Sequence, residues 1–194
     1  MAQPGEALMS LMAAGDLAAF DDLMKGYGAA AQRYAYRVFR DHQIAEDVCQ
    51  EFFFKLFRNA HRYEPVGKFT TYFYKVLHNL CLDTLRRMNR KSMPDFQSFE
   101  NPVLDGLGEA PEELAPERAA HLNEERKLVR EAIGKLPNSL RRVIVLRELE
   151  GFKYREIAEI LGLSLNEVKV LIHRGRKALL RILQRSPLFE RSES

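Results

Sequence analysis

Between Tyr154 and Ile172 the chain spaces small, turn and apolar residues as a helix-turn-helix requires. Ala158 is small where two helices must approach closely. Gly162, four residues on, suits the left-handed turn that glycine adopts at no steric cost. Val168, six residues further, is the apolar group that docks the second helix on the first, and Ile157, Leu161, Leu163 and Ile172 supply the remaining core. Ser164 followed by Glu167 predicts a capping box at the start of the second helix. An ordinary helical hairpin has no need of all these steps together.

The second helix of this pair carries its charge on one side. After Glu167 come Lys169, His173, Arg174, Arg176, Lys177, Arg181 and Arg185, with no acidic residue among them. Leu179, Leu180 and Leu183 account for the buried side. Lys and Arg displace counterions from phosphates, which is the sequence-independent part of DNA affinity. A recognition helix lies in the major groove with its N-terminal side chains at the base edges. Asn166, Lys169, Val170 and His173 are therefore expected at bases, and Arg174, Arg176 and Lys177 at phosphates.

The 194 residues allow one medium domain or two small ones, and the charge distribution favours two. Residues 1–90 hold 12 basic and 10 acidic side chains, residues 91–123 hold 2 and 7, and residues 124–194 hold 16 and 10. The acidic stretch also contains Pro94, Pro102, Pro111 and Pro116 with Gly106 and Gly108, a composition that resists helix and keeps a chain solvated. The expected organisation is a helical domain over 1–90, an acidic Pro-rich linker over 91–117 and a second helical domain over 118–194. The fold class is all-α, two small helical domains, the second containing the helix-turn-helix.

In the first domain a helix is expected from about Asp16, its N-cap, to Phe39. Ile44, Val48, Phe52 and Leu56 form the apolar stripe of the next. A third runs from about Thr70 to Met88, with Phe73, Val76, Leu77, Leu80 and Thr84 inward. Its opposite face carries Tyr72, Lys75, Asn79, Asp83, Arg86 and Arg90 at steps of three or four. Aromatic rings interleaved with cations suit single-stranded nucleic acid, the rings stacking on bases and the cations following the backbone.

In this order and spacing the motifs resemble the extracytoplasmic-function (ECF) sigma factors of bacterial RNA polymerase, over roughly 19–88 and 123–183. Ala45-Glu46-Asp47-Val48-Cys49-Gln50-Glu51-Phe52 resembles the clamp-binding helix of sigma region two. Tyr63 to Phe69, Tyr72-Phe73-Tyr74-Lys75-Val76, Asn79-Leu80, Asp83 and Leu85-Arg86-Arg87 resemble its strand-opening, minus-ten part. Leu136-Pro137, Leu146 to Gly151 and Tyr154 to Ala158 resemble the start of region four, and Val168-Lys169, His173-Arg174 and Arg176-Lys177 its recognition helix. The resemblance implies a factor that binds core polymerase at clamp and flap, directs it to promoters and promotes strand opening. Asp47, Gln50 and Glu51 would meet the clamp; Phe53 and Phe54 beside them would either help there or, the preferred expectation, lie in the core. The loop Glu64–Phe69, with Glu64, Lys68 and Phe69, would receive a flipped base. Tyr72, Lys75, Asn79 and Arg86 would line the path of the non-template strand. The helix-turn-helix would read the minus-thirty-five duplex, and an anti-sigma factor would restrain the free chain. Tyr72 stands where the family often has Trp, and Leu171 where it often has Arg.

A conventional helix-turn-helix regulator, with a sensing or dimerising N-terminal domain, is the alternative; it has no use for the Tyr63–Arg87 pattern. An enzyme is not expected, because no nucleophile–base pair, phosphate loop or acidic metal cluster is present in the sequence. Cys49 and Cys81 read as small buried apolar groups, and neither metal nor cofactor is expected. No stretch approaches the about 18 apolar residues of a membrane span. With no basic N-terminal leader the protein is expected in the cytoplasm.

Overall fold

The computed structural model describes residues 4–91 and 126–185, and every regular element among them is helical. Nearly all of the predicted linker, and the predicted helix start near Arg118, lie outside the described residues. The chain divides into two compact units, Met1–Pro94 with Phe152–Leu165, and Asp95–Gly151 with Asn166–Ser194.

The first unit opens with α1 (Pro4–Ala13), which the sequence reading did not foresee. Pro4 is at the first helical position, where its missing N–H costs nothing. In α2 (Leu17–Phe39) Asp16 caps as expected, accepting from the N–H groups of Ala18 at 2.8 Å and Ala19 at 3.4 Å. The helix stops at Arg40, in the left-handed region at φ 56°, and Asp41 then caps α3 (His42–Arg58) through the Ile44 N–H at 3.0 Å. After a single 3-10 turn (Ala60–Arg62) and an irregular loop, α4 runs from Phe69 to Lys91.

These helices close over an aromatic core. Phe73 is fully buried, with the rings of Phe52, Tyr27, Tyr74, Phe69 and Phe53 at centroid distances of 4.8, 5.3, 5.5, 5.9 and 6.3 Å. The pairs with Phe52, Phe53 and Tyr74 are edge-to-face, an arrangement that adds about 0.5–1.5 kcal/mol each beyond the area they bury. Gly5 lets α1 lie against the Phe69 ring, which would overlap any side chain there. Of the stripe expected on α4, Phe73, Leu77 and Leu80 are buried while Val76 and Thr84 are only half-buried; Tyr74, His78 and Cys81 complete the inner face. The Tyr34 hydroxyl and His78 Nδ1 share a buried hydrogen bond of 2.9 Å. Burial pushes the Cys49 thiol up to about 12, with Glu46 adding to the shift, and raises Cys81 as well, so both behave as apolar fillers.

The same unit includes α7 (Tyr154–Leu161), whose first turn is capped by the Lys153 N–H donating to Glu156 Oε2 at 2.7 Å. It ends at Gly162, left-handed at φ 64° as the spacing predicts, and the Leu163 N–H returns to the Ala158 carbonyl at 3.0 Å. Ile157 and Ile160 are its buried residues. The expected core members Leu161 and Leu163 are half-buried, so the inward face is turned by one position towards Ile160.

In the second unit, α5 (residues 126–134) is followed by α6 (Asn138–Ile144). The Arg141 guanidinium donates to the Gly134 and Leu136 carbonyls, the latter at 2.9 Å, satisfying backbone acceptors left open at a helix end. A π turn (Val145–Leu149) widens the chain, with the Glu150 N–H reaching the Val145 carbonyl at 3.0 Å. Leu165 starts α8 (Leu165–Gln184), one residue after Ser164. Val168 and Ile172 are buried, as predicted. A Cβ on Gly175 would lie 2.6 Å from Ile144 Cγ1. Gly175→Val is accordingly expected to destabilise the second unit by about 2 kcal/mol through overpacking, read as faster hydrogen exchange of the α8 amides; unaltered exchange would mean that Ile144 gives way freely.

Candidate polymerase and nucleic-acid interfaces

On α3 the inward stripe leaves Asp47, Gln50 and Glu51 together in solvent, at helical steps of three and one. Glu51 is held by a residue from α4, since Arg87 Nη2 lies 3.2 Å from Glu51 Oε2 and 2.9 Å from Thr84 Oγ1. No local spacing connects positions 51 and 87; only the packing of α3 on α4 brings them together. Of the two placements open to the neighbouring phenylalanines, the preferred one, the core, holds for Phe53 alone. Phe53 is buried, but Phe54 is 63% exposed.

The outer face of α4 presents Lys75, Asn79, Asp83 and Arg86 to solvent, with Tyr72 half-buried at its upper end. Arg86 and Asp83 pair at 3.2 Å. Tyr63 lies beside Tyr72, ring centroids 4.9 Å apart, so two aromatic groups occupy the place where the sequence suggested one. Burial raises both phenols, Tyr63 with added contributions from Glu6 and Tyr72, so each stays neutral at physiological pH.

The loop before α4 differs from expectation at its end. Phe69 is fully buried against Tyr27 and Phe73 and begins α4, so it shapes the loop from below rather than offering its ring to a base. Glu64 is exposed, Gly67 turns the chain at φ 83°, and Val66 at the tip is 82% exposed, an apolar group the sequence reading passed over. Lys68 is exposed but engaged, its Nζ 2.7 Å from Glu156 Oε1, and Lys75 lies 3.8 Å from Glu159. Burial pushes Glu156 upward, yet the hydrogen bonds from Lys68 and the Lys153 N–H outweigh it and hold the carboxyl below its ordinary value.

On α8, Asn166, Lys169, Val170, His173, Arg174, Arg176 and Lys177 are all exposed. A shallow depression along the helix is lined by Asn166, Glu167, Val170, Leu171 and Arg174. Arg176 differs from its neighbours, because its Nε and Nη2 lie 2.9 and 2.7 Å from Glu148 Oε1 on the π turn. Among the described residues no cluster of three or more His, Cys, Asp or Glu is arranged to hold a metal ion, and no helix is long and apolar enough to cross a membrane.

Family models match both parts of the chain, "Sigma-70 region 2" over residues 15–91 and "Sigma-70, region 4" over residues 126–179. ECF RNA polymerase sigma factor SigW of Bacillus subtilis is 34% identical over 170 residues, 85% of this chain and 89% of its own length. The chain belongs to the sigma-70 family, among its ECF sigma factors. SigE of Mycolicibacterium smegmatis is also 34% identical, over 86% of this sigma factor but only 63% of its own length. The solved structure of CnrH in complex with the cytosolic domain of CnrY is similar at a TM-score of 0.66 and 25% identity, covering 94% of this chain and 98% of that one. The sigma factor RpoE of Bartonella quintana, solved in complex with the anti-sigma factor NepR, shares the fold at a TM-score of 0.64 and 19% identity. In the present sigma factor the region 2 match ends with α4, and the region 4 match contains α6, α7 and most of α8.

Proposed function

We propose that this ECF sigma factor binds core RNA polymerase, directs it to a set of promoters and helps separate the strands, without catalytic activity of its own. The observation that carries this is the outer face of α4. Tyr72, Lys75, Asn79 and Arg86 lie on one side of a helix whose other side is locked into an aromatic core. A rigid stacking-and-cation surface of that kind fits a splayed single strand better than a duplex. Asp47, Gln50 and Glu51 on α3 make the polymerase contact. Glu64 and Lys68 border the pocket for a flipped base. Asn166, Lys169, Val170 and His173 on α8 approach bases of the minus-thirty-five element, with Arg174 and Lys177 on the backbone. Residues 1–90 and 118–194 act as the two promoter-reading modules, and 91–117 as the acidic connection. The protein works in the cytoplasm under an anti-sigma factor, a partner like the one solved with RpoE.

Purified chain with core polymerase is expected to open a cognate promoter, and the chain alone is not. Tyr72→Ala and Asn79→Ala are expected to reduce permanganate reactivity of the bubble about tenfold while leaving core binding intact, as the loss of one stacked base or one base contact predicts. Tight, specific duplex binding by the isolated chain would favour the conventional regulator instead.

A further inference from the structure

Two cations of the proposed strand path, Lys68 and Lys75, each meet a carboxylate of α7. Lys68 Nζ is 2.7 Å from Glu156 Oε1, and Lys75 Nζ is 3.8 Å from Glu159 Oε1. Glu156 and Glu159 are three positions apart and share one side of α7. An exposed ion pair contributes little by itself, but these pairs do not stand alone. Phe152, just before α7, is buried, and its ring lies edge-to-face on that of Tyr74 at a centroid distance of 4.9 Å. Tyr74 is the neighbour of Lys75 on α4, so an apolar contact holds α7 beside the lysines. In each pair the carboxylate oxygen occupies the place that a phosphate oxygen takes at a strand-binding lysine.

This contact is incompatible with a chain that holds both promoter elements. Their centres are about 25 base pairs apart, about 85 Å of duplex at 3.4 Å per pair. Because α7 is the first helix of the helix-turn-helix, it has to leave α4 before the upstream element and the separated strand are held together. We propose that α7 is an internal substitute for the nucleic-acid backbone: Glu156 and Glu159 neutralise Lys68 and Lys75 in the free chain, and departure of α7 uncovers both for the non-template strand. The proposal rests on the strand-binding reading of α4 and adds a regulation to it.

The test is fluorescence anisotropy of a labelled single-stranded oligonucleotide of mixed sequence with the full chain, without polymerase, over a range of salt. Glu156→Gln combined with Glu159→Gln removes both carboxylates, and a glutamine carbonyl at 156 still accepts from the Lys153 N–H that caps α7. This variant is expected to bind about fivefold more tightly at low salt, with a slope of log affinity against log salt steeper by about 1.4, for two added phosphate contacts. Phe152→Ala alters no charge and should move affinity and slope the same way. Asp21→Asn with Glu46→Gln removes the same two charges from exposed positions on α2 and α3 and should leave the slope as in wild type. An equal gain in that control assigns the effect to net charge and overturns the proposal. Unchanged binding in both the glutamine pair and Phe152→Ala overturns it too. In that event Lys75→Ala in holoenzyme separates the two readings: impaired promoter opening leaves the strand-binding reading of α4 standing, and normal opening removes it as well. Should Phe152→Ala lose helical circular dichroism, the glutamine pair decides alone.

Discussion

Phe73→Ala is expected to destabilise the first unit by about 3–5 kcal/mol, the range for emptying a fully buried aromatic site. The side chain has no exposure, and the five rings around it belong to α2, α3 and α4. No single neighbour can collapse into the space without losing its own edge contacts, so the cavity persists and the upper part of that range applies. Domains of this size are stable by only about 5–15 kcal/mol in total. The chain contains no tryptophan, so the tyrosine near-ultraviolet circular dichroism of Tyr27, Tyr34 and Tyr74 is the direct reporter in a urea titration. Phe73→Leu should cost markedly less, since much of the volume remains. A midpoint change in Phe73→Ala equivalent to less than about 1 kcal/mol would mean that the core repacks, against the close packing normal in interiors. Promoter opening should fail with the fold, because Tyr72 and Lys75 are aimed by the residues between them.

That dependence also explains which features could be read from the sequence. Helix positions follow from local chemistry: Asp16 as a cap, the four-residue recurrence from Ile44 to Leu56, and the glycine at the left-handed turn are all short-range signals. The exposed faces of α3 and α4 were legible for the same reason, since a filled apolar stripe defines its own opposite side; on α8 the expected stripe is filled less, with Leu180 51% exposed and Leu179 and Leu183 half-buried. What escaped depends on distant pairs. Arg87 meets Glu51 across 36 positions and Arg176 meets Glu148 across 28. Phe69 read as a loop aromatic because only the approach of α1, with Gly5 against its ring, shows that it is enclosed. The α1 helix itself is ten residues long and brings just Gly5, Met9 and Met12 to the core, too few for a periodic signal. Phe54 was left between clamp and core by the run Phe52-Phe53-Phe54, in which hydrophobicity gives no direction and only the helical angle does.

The engaged state of Arg176 leads to the second large expected effect. Each phosphate contact contributes about 0.9 to the slope of log affinity against log salt. Arg174→Ala combined with Lys177→Ala should therefore flatten the slope by about two units for holoenzyme on minus-thirty-five duplex, and weaken binding by about one to two orders of magnitude at low salt. Arg176 carries the same charge one helical step away, yet its guanidinium already meets Glu148 through two nitrogens. Arg176→Ala should leave the slope nearly unchanged and instead release Glu148, with a stability loss of about 1 kcal/mol or less, as for an exposed pair. Charge counting along α8 makes the three residues equivalent; the structure separates them. Equal slope changes at 174, 176 and 177 would show that DNA displaces Glu148 and that Arg176 is a phosphate ligand after all. A change in preferred bases with Arg174→Ala, rather than a uniform loss over all sequences, would move that side chain from backbone to base-edge recognition.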